Sequence, residues 1–573
     1  MLLLFPFLAA AQPYQSKGQV KDHEENSLAN VTLLLHSSGT VWHTGKDGEF
    51  AVSTPEKVDT LTIVREGYEK EKRVIYSDSF NIIVLKKVVA LKTATPIQLA
   101  SHVENLQSND LRLRLAGDET YASIIENEFV DAGLHPTTGV TLHVDRAAYS
   151  NIRRFLTMQT KVPREAVRIE EMLNYFNLAY TEPPEGRTFA INAALTQCPW
   201  NKKNALLLAQ VASKKLALDH LPQTHLVFLI DVSGSMDQFN RLSLLKSGFK
   251  LLVNNLRPRD TVSIVVYGGT VGVALFPTGG GEKDRILQVI DSLQPGGATP
   301  GESGIRLAYS LAREHFIVGG NNRVILATDG DFNVGLRKEE ELEELIMRQR
   351  LLGVYLTCLG VGMGNYKDSK IQLLAQRGNG NFAYLDSPAE VEKVLLKEFT
   401  QTLYTVADDA FLNVSFDPQY FKSYRLIGFE NKAGALRDTT AHLEGGEVGS
   451  AHAMVLAFEI EPAFTIDTQQ IAPIRFFLRY QNTGEDSVCT MDAQPLLSLT
   501  PFERLPKAQQ FAAAVVWFGS LLRESRYVKS NTWNEVINLA KLTADPAVFS
   551  QNEFVSLVEG AKRLYGKKRK KEE

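Results

Sequence analysis

Five apolar segments alternate with amphipathic ones across residues 222–400, and they place the tightest limit on what this chain can fold into. The segments read HLVFLI, TVSIVVY, RVILAT, VYLTCLGVG and NFAYLD. After the first segment, Leu245, Phe249, Leu252 and Leu256 recur at the spacing of an amphipathic helix. Continuous apolar strands separated by such helices are typical of a parallel sheet covered on both faces. We therefore predict a doubly wound, mostly parallel α/β domain whose ligand site lies beyond the carboxyl ends of its strands.

The first of these strands ends in three oxygen-bearing side chains on alternate positions, Asp231, Ser233 and Ser235. A helix cap would account for one of them. A nucleophilic serine favours a Gly-x-Ser-x-Gly turn with a histidine partner, but this turn lacks that pattern, and His220 and His225 flank the strand at its other end. Hydroxyl and carboxylate oxygens suit a hard cation. We therefore favour a metal site over a serine hydrolase.

One loop cannot surround an octahedral ion, so further oxygen donors must come from neighbouring strand ends. Thr299 lies in the glycine-rich loop PGGATPGESG, and Asp329 follows the strand in RVILATDG. The pattern Asp-x-Ser-x-Ser, then Thr, then Thr-Asp-Gly resembles that of the von Willebrand factor type A domain. In that resemblance the metal-ion-dependent adhesion site corresponds to Asp231, Ser233, Ser235, Thr299 and Asp329.

The resemblance implies a site that binds a divalent cation, Mg²⁺ or alternatively Mn²⁺ or Ca²⁺, and carries out no catalysis. The serine and threonine hydroxyls would coordinate the ion as neutral ligands, so much of its charge would remain to attract a carboxylate of a protein partner. Three further acids lie nearby in the sequence, Asp237, Glu302 and Asp331. We interpret them first as solvated loop residues, and otherwise as outer neighbours of the ion that soften the positive field of the site or recruit a second ion.

Both flanks of the α/β domain are rich in β-strand patterns. Residues 12–88 read as a small β-sandwich with an Asp-Gly hairpin turn at residues 45–50, and G-x-V-x-D with T-x-x-D-G-x-F resembles the carboxypeptidase regulatory-like module. Helix-like spacing in YASIIENEFVD, VDRAAYSNIRRFLTMQ and VRIEEMLNYFN precedes two strand patterns, FAINAALTQ and ALLLAQVAS. We predict that the α/β domain is inserted into one β-domain built from about 186–213 and 408–500.

Four segments outside the α/β domain also resemble the flanks of an exported bacterial subfamily of this domain family. They are VDRAAYSNIRRFL, CPWN, YRLIGFENK and VVWFGSLLRES. The fold class predicted is thus multidomain α/β plus β, with a doubly wound sheet, flanking β-sandwich-like domains and C-terminal helices. The predicted order is a signal segment (1–11), a sandwich (12–88), a linker (89–120), an upstream flank (121–213), the von Willebrand factor type A domain (222–400), a β-rich flank (401–505), helices (506–566, as two segments, about 506–524 and 532–565) and a basic tail (567–573).

Composition narrows the partners and the compartment. A net charge of −4 gives no argument for nucleic acid. The apolar start and the small residues near Ala11 favour a signal segment and export to the periplasm or cell surface. A lipid anchor is not predicted, because no cysteine lies beside the expected cleavage site. Three distant cysteines, Cys198, Cys358 and Cys489, are predicted to be free, buried thiols.

The function predicted is cation-dependent adhesion or assembly at the bacterial envelope, through an acidic residue of a protein partner. An adaptor for an AAA+ ATPase machine is the alternative, because some domains of the resembled family serve that role in the cytoplasm.

Overall fold

The computed structural model describes residues 14–87 and 114–566, with internal gaps at 24, 39, 66–67, 69–70, 117–118, 122, 179, 218–220, 239, 298–300, 331–338, 363–367, 399–402, 430–445, 465–470, 484 and 486. The chain divides into two units, Met1–Pro96 and Ile97–Glu573. The predicted signal segment, most of the predicted linker and the basic tail lie outside the described residues.

The first unit is a sandwich of two small sheets around one core. Its strands are β1 (Tyr14–Asp22), β2 (Thr32–Leu35), β3 (Val41–His43), β4 (Glu49–Thr54), β5 (Val58–Val64), β6 (Glu71–Tyr76) and β7 (Phe80–Leu85). One sheet has the order β4-β1-β7 and the other β3-β2-β5-β6. Val20, Val52 and Ile63 belong to the buried core that the strands share. The predicted sandwich is confirmed, whereas its likeness to the carboxypeptidase regulatory-like module stays a prediction.

The hairpin predicted at residues 45–50 is wrong, because the strands on either side of the turn belong to different sheets. The tight turn itself is present: the Gly45 amide donates to the Glu49 carbonyl at 2.9 Å, and Gly48 has a φ of 72°. However, β3 pairs with β2, and β4 pairs with β1. Asp-Gly chemistry marks the turn, but burial of the strand faces selects the partners.

In the second unit, the described residues before the α/β domain form short strands and two helices. They are β8 (Arg114–Ala116), β9 (Glu119–Tyr121), β10 (Val130–Asp131), β11 (Thr137–Thr141), α1 (Ala147–Thr157), α2 (Ile169–Asn174), β12 (Phe189–Gln197) and β13 (Ala205–Ser213). The two later helix predictions of this flank are confirmed as α1 and α2. Part of the stretch predicted to be linker is instead the hairpin of β8 and β9.

The helix predicted in YASIIENEFVD is wrong. Residues 123–129, the described part of the segment between β9 and β10, contain no helix, and β10 pairs with the chain near Tyr424. The Asn127 side chain donates to the carbonyls of Leu426 and Gly428 at 3.1 and 3.0 Å, the first across a separation of 299 residues. Pairing with so distant a strand overrides the local helical spacing.

The α/β domain has the predicted doubly wound architecture. Its strands are β14 (Thr224–Asp231), β15 (Thr261–Gly268), β16 (Thr270–Gly279), β17 (Asn321–Thr328), β18 (Val354–Val361) and β19 (Phe382–Leu385). Its helices are α3 (Leu242–Asn254), α4 (Lys283–Ser292), α5 (Gly301–Glu314), α6 (Glu339–Leu351), α7 (Asp368–Arg377) and α8 (Pro388–Glu392). The sheet order is β16-β15-β14-β17-β18-β19, and every residue of β14 is buried. Separate apolar cores cover the two faces of the sheet.

The edge strand β16, which runs antiparallel to β15, was not predicted. Most of its residues are partly or fully exposed, and Phe276 is 65% exposed. A strand that is exposed to solvent on one side and irregular in register lacks the continuous apolar run by which the neighbouring strands were predicted.

The strands that follow the α/β domain are β20 (Thr405–Phe416), β21 (Phe421–Ile427), β22 (Gly446–Gly449), β23 (Ala453–Pro462), β24 (Ile471–Asn482), β25 (Val488–Ala493) and β26 (Leu496–Thr500). They join β10–β13 in one sheet, which has 11 strands within the described part of the chain. β13 pairs antiparallel with β23 over eight residues, from Ala205 with Ile460 to Ala212 with Ala453, and β12 pairs with β26. The predicted insertion of the α/β domain into one β-domain is confirmed by this pairing.

The C-terminal helices are α9 (Lys507–Leu522), α10 (Trp533–Thr543) and α11 (Phe549–Tyr565). The second helical segment predicted from the sequence is thus two helices, and Pro546 lies in the break between them. In α9 all residues from Gln510 to Leu522 are buried, against α2 among others. No helix among the described residues is long and apolar enough to span a membrane. All three cysteines are free; Cys198 and Cys358 are buried, as predicted, and Cys489 is half-buried.

We predict that residues 401–505 do not fold alone, because β23 and β26 would lack β13 and β12. Circular dichroism should show no cooperative melting of this fragment. The matched control is the second unit with residues 217–402 replaced by a short Gly/Ser linker. Leu216 and Tyr404 both hydrogen-bond to Ser450, each at 2.9 Å, so a short linker can join them. Cooperative melting of the fragment by itself would contradict the insertion.

We also predict that acid weakens the α/β domain through His225. This residue is fully buried at the start of β14, where burial, and then the imidazole of His315, lower its pKa to about 4. The unfolded chain takes up this proton below about pH 6.5, so the contribution is complete above that pH and is lost as the pH falls toward 4. Between pH 7 and pH 5 the wild type should lose about 2 kcal/mol more unfolding free energy than His225→Gln.

Urea unfolding at the two pH values measures this difference. His43→Gln, at an exposed histidine of the first unit, is the control and should behave as the wild type. Equal losses in the wild type and His225→Gln would show that this buried imidazole is not responsible.

Candidate metal centre

Three of the predicted ligands lie together where β14 ends. Asp231 is the last residue of the strand, and the chain turns at once into a short 3₁₀ segment, Gly234–Asp237. The Ser233 amide donates to Asp231 Oδ1 at 2.9 Å, and the Ser233 and Ser235 hydroxyl oxygens are 3.1 Å apart. The tight turn therefore brings the alternate oxygen donors of the Asp-x-Ser-x-Ser pattern onto one side.

Asp329 reaches the same edge of the sheet from the neighbouring strand. β14 and β17 are parallel and in register, with Ile230 opposite Ala327, so the residues that follow both strands emerge side by side. The Thr328 hydroxyl donates to Asp231 Oδ2 at 3.2 Å. Both carboxylates are buried, with Asp231 fully inaccessible and Asp329 4% exposed.

Two buried carboxylates this close favour a cation. Burial raises the pKa of Asp231 to about 6, hydrogen bonds from Ser233 oppose the shift, and the charge of Asp329 adds to it. The same surroundings raise the pKa of the Tyr267 phenol, through burial first and then through Asp231. A divalent ion would offset the repulsion between the carboxylates, so the residues present fit a hard metal. Among the described residues no cluster of three His, Cys, Asp or Glu side chains could hold a metal.

The glycine-rich loop packs directly on the turn that carries the serines. The Gly296 amide donates to the Val232 carbonyl at 2.7 Å, and the Gly234 amide donates to the Gly297 carbonyl at 3.1 Å. Gly297 has a φ of 83°, and a Cβ there would lie 2.2 Å from the Cα of Gly269, so only glycine fits. Thr299 comes two residues later and lies outside the described residues, as does Asp331. Their places in the site stay predictions.

The other two acids near the motif have different surroundings. Asp237 is exposed at the end of the 3₁₀ segment. Glu302 lies in the first turn of α5 and forms an ion pair with Arg306 one turn later, at 2.9 Å. Asp237 is thus exposed to solvent, whereas Glu302 belongs to a helix rather than to a loop and is half-buried.

The sequence did not point to Arg241, which the structure places at the centre of the site. Its Nη1 donates to the Ser235 carbonyl at 2.8 Å and forms an ion pair with Asp329 Oδ2. Arg241 lies just before α3, where no sequence pattern distinguishes it from the cations of the protein surface. Thr328 was also missed, although its position directly before Asp329 in the sequence was a usable signal.

This sheet, with its turn of alternating oxygen donors at the carboxyl edge, defines a protein with a von Willebrand factor type A domain. The model of that domain family matches residues 226–331, and a second von Willebrand factor model matches residues 115–208. The model of the YfbK C-terminal region matches residues 401–564. The chain is 33% identical to the uncharacterized protein YfbK of Escherichia coli (strain K12) over 474 residues, covering 77% of this chain and 81% of that protein. The chain therefore belongs to the YfbK family.

Other relatives are similar over shorter stretches. The magnesium-chelatase 67 kDa subunit of Chlorobaculum parvum is 24% identical, and the match covers 37% of this chain and 39% of that protein. The inter-alpha-trypsin inhibitor heavy chain H3 of Homo sapiens is 24% identical over 29% of this chain and 20% of its own length. Among solved structures, a von Willebrand factor type A protein from Catenulispora acidiphila has a TM-score of 0.39 at 14% identity, over 65% of this chain and 89% of that one.

We predict that Asp231→Ala and Asp329→Ala each abolish binding of Mg²⁺ and Mn²⁺, because each removes one of the two buried negative charges of the site. Isothermal titration calorimetry on the full chain measures the affinity. Glu302→Ala is the matched control and should bind as the wild type does, since Glu302 is already paired with Arg306. Unchanged metal affinity in both aspartate variants would rule out a metal site here.

Proposed function

We propose that this protein is a non-enzymatic, divalent-cation-dependent interaction protein of the bacterial cell envelope. The observation that carries the proposal is the cluster of Asp231, Ser233, Ser235 and Asp329 at the carboxyl edge of the sheet. Asp231, Ser233, Ser235, Thr299 and Asp329 would hold Mg²⁺, or Mn²⁺ or Ca²⁺ in its place. When bound, the ion would supply a positive charge that a carboxylate of the partner can coordinate.

The ligand types support binding of an acidic partner. Hydroxyl ligands are neutral and need not lose a proton to coordinate, so they compensate little of the charge of the cation. Ser235 is exposed, whereas Asp231 and Asp329 are buried. The carboxylates are thus buried while Ser235 lies at the surface, which suits an ion that an acidic side chain of a partner can approach.

The surroundings of Ser233 give no support to a serine hydrolase. Its hydroxyl lies beside the Ser235 hydroxyl, and its amide is bound to Asp231. In the part of the chain that the structure describes, no histidine hydrogen-bonds to Ser233, although a nucleophilic serine needs a base within reach.

The flanking regions would position the site. We propose that the N-terminal sandwich acts as a carboxypeptidase regulatory-like presentation module without catalytic activity of its own. Export to the periplasm or cell surface is proposed from the apolar residues 1–11. The two-sheet architecture of the sandwich supports the first of these points.

A role as an adaptor within an ATP-driven machine is the second candidate. The similarity to a protein named as a subunit of magnesium chelatase favours membership of a larger assembly. Cell fractionation separates the candidates, because an envelope protein appears in the periplasmic or surface fraction and an adaptor for an AAA+ ATPase in the cytosol.

We predict that immobilised full-length protein captures a partner from envelope extract in the presence of Mg²⁺ and releases it with EDTA. Asp231→Ala should capture none of it, and Glu302→Ala should capture as much as the wild type. An amount of captured partner that neither EDTA nor Asp231→Ala changes would show that binding does not use the metal.

A further inference from the structure

Arg241 is a cation built into the proposed metal site. It does not belong to the oxygen-donor pattern, yet its side chain is only 7% exposed and that of its ion-pair partner Asp329 only 3%. The same Nη1 atom that contacts Asp329 donates to the Ser235 carbonyl at 2.8 Å. One guanidinium therefore touches two of the three chain segments that carry the proposed ligands, the turn after β14 and the end of β17.

The fold makes room for this guanidinium at Gly362, directly after β18. A Cβ at Gly362 would lie 2.5 Å from Arg241 Nε and 3.1 Å from its Cδ, and the backbone there has a φ of 82°. The Gly362 carbonyl accepts a hydrogen bond from the Tyr384 hydroxyl. The arginine thus packs against the loops after three strands, β14, β17 and β18, in a space that a larger residue at position 362 would fill.

Charge decides what this arrangement does to a cation. Ionised Asp231 and Asp329 together carry two negative charges, and Arg241 reduces the total to one. A divalent ion that enters the site then meets less attraction and a positive neighbour, so it binds more weakly. Once a divalent ion is bound, however, these three side chains and the ion together carry one positive charge. Without Arg241 their total charge would be zero. A site with residual positive charge attracts an incoming carboxylate more strongly.

We propose that Arg241 tunes the site, weakening its hold on the metal while strengthening the attraction of the bound metal for the carboxylate of a partner. The inference rests on the proposed function, because it concerns the same metal. It makes Arg241 a determinant of specificity for acidic partners. In the opposite role, Arg241 would only hold Asp329 and Ser235 in place. Removing its guanidinium would then weaken metal binding.

The test compares Mn²⁺ affinity of the full chain by calorimetry for the wild type and Arg241→Met. We expect Arg241→Met to bind Mn²⁺ about tenfold more tightly, since a neighbouring charge shifts such equilibria by about that factor or more. Acetate serves as the probe carboxylate, with chloride at equal ionic strength as its reference. Acetate should strengthen Mn²⁺ binding in the wild type and do so less in Arg241→Met.

Further variants separate charge from structure. Arg241→Lys keeps the positive charge and should resemble the wild type, whereas Arg241→Gln is neutral and should resemble Arg241→Met. Arg257→Met removes an arginine that pairs with Asp260 at 2.7 Å at the opposite end of the sheet, and it should leave Mn²⁺ affinity unchanged.

Weaker or unchanged Mn²⁺ binding in both neutral variants would overturn the inference, and so would an acetate effect equal to that of the wild type. If the neutral variants bind as the wild type while Asp231→Ala abolishes binding, the inference fails and the proposed function stands. If the wild type binds no Mn²⁺, both fail. If Arg241→Met does not fold, Arg241→Gln gives the same comparison.

Discussion

The arrangement of the second unit depends on the buried ion pairs that the guanidinium of Arg153 forms. From α1 it bonds to Asp386, just after β19, to Glu390 in α8 at 2.7 Å and to Glu553 in α11 at 2.9 Å. Burial alone would lower its pKa, but the carboxylates, Asp386 and Glu390 foremost, hold the pKa well above its ordinary value. The charge of Arg153 thus joins three parts of the chain: the β-domain that contains the insertion (the host domain), the inserted α/β domain and the C-terminal helices. Breaking such a buried pair costs about 3–5 kcal/mol, because a charge is left uncompensated.

Aromatic packing reinforces this junction. Tyr175 stacks on Tyr149 with ring centroids 4.1 Å apart and donates to Glu390 at 2.6 Å, and the Lys393 ammonium lies 4.0 Å from the centre of its ring. The junction therefore fixes the inserted domain at its β19 edge and leaves the carboxyl edge of β14, with its oxygen donors, outside the junction. An inserted domain that is held at one edge of its sheet, with its oxygen donors elsewhere, suits a protein that presents a site to a partner.

Local chemistry was enough to predict the centre of the α/β domain, and contacts distant in sequence account for the rest. The buried run of β14 and the alternation of Asp231, Ser233 and Ser235 depend only on neighbouring residues. By contrast, the edge strand β16 has no continuous apolar run, and β10 pairs with β21, a strand that lies beyond the whole α/β domain in the sequence. Arg241 was missed for a similar reason, since only the folded chain brings its guanidinium to Asp329.

The insertion also has a consequence for synthesis on the ribosome. Every residue of β13 is buried in the finished protein, but its partner β23 begins only at Ala453. The other neighbour of β13, β12, is made just before it and can pair with it, but the edge that faces β23 must stay unpaired while the whole α/β domain emerges. The strands of that domain are close in sequence and can pair first, because short loops close at the smallest entropic cost. The nascent host domain is exposed to aggregation for as long as translation of the insert lasts.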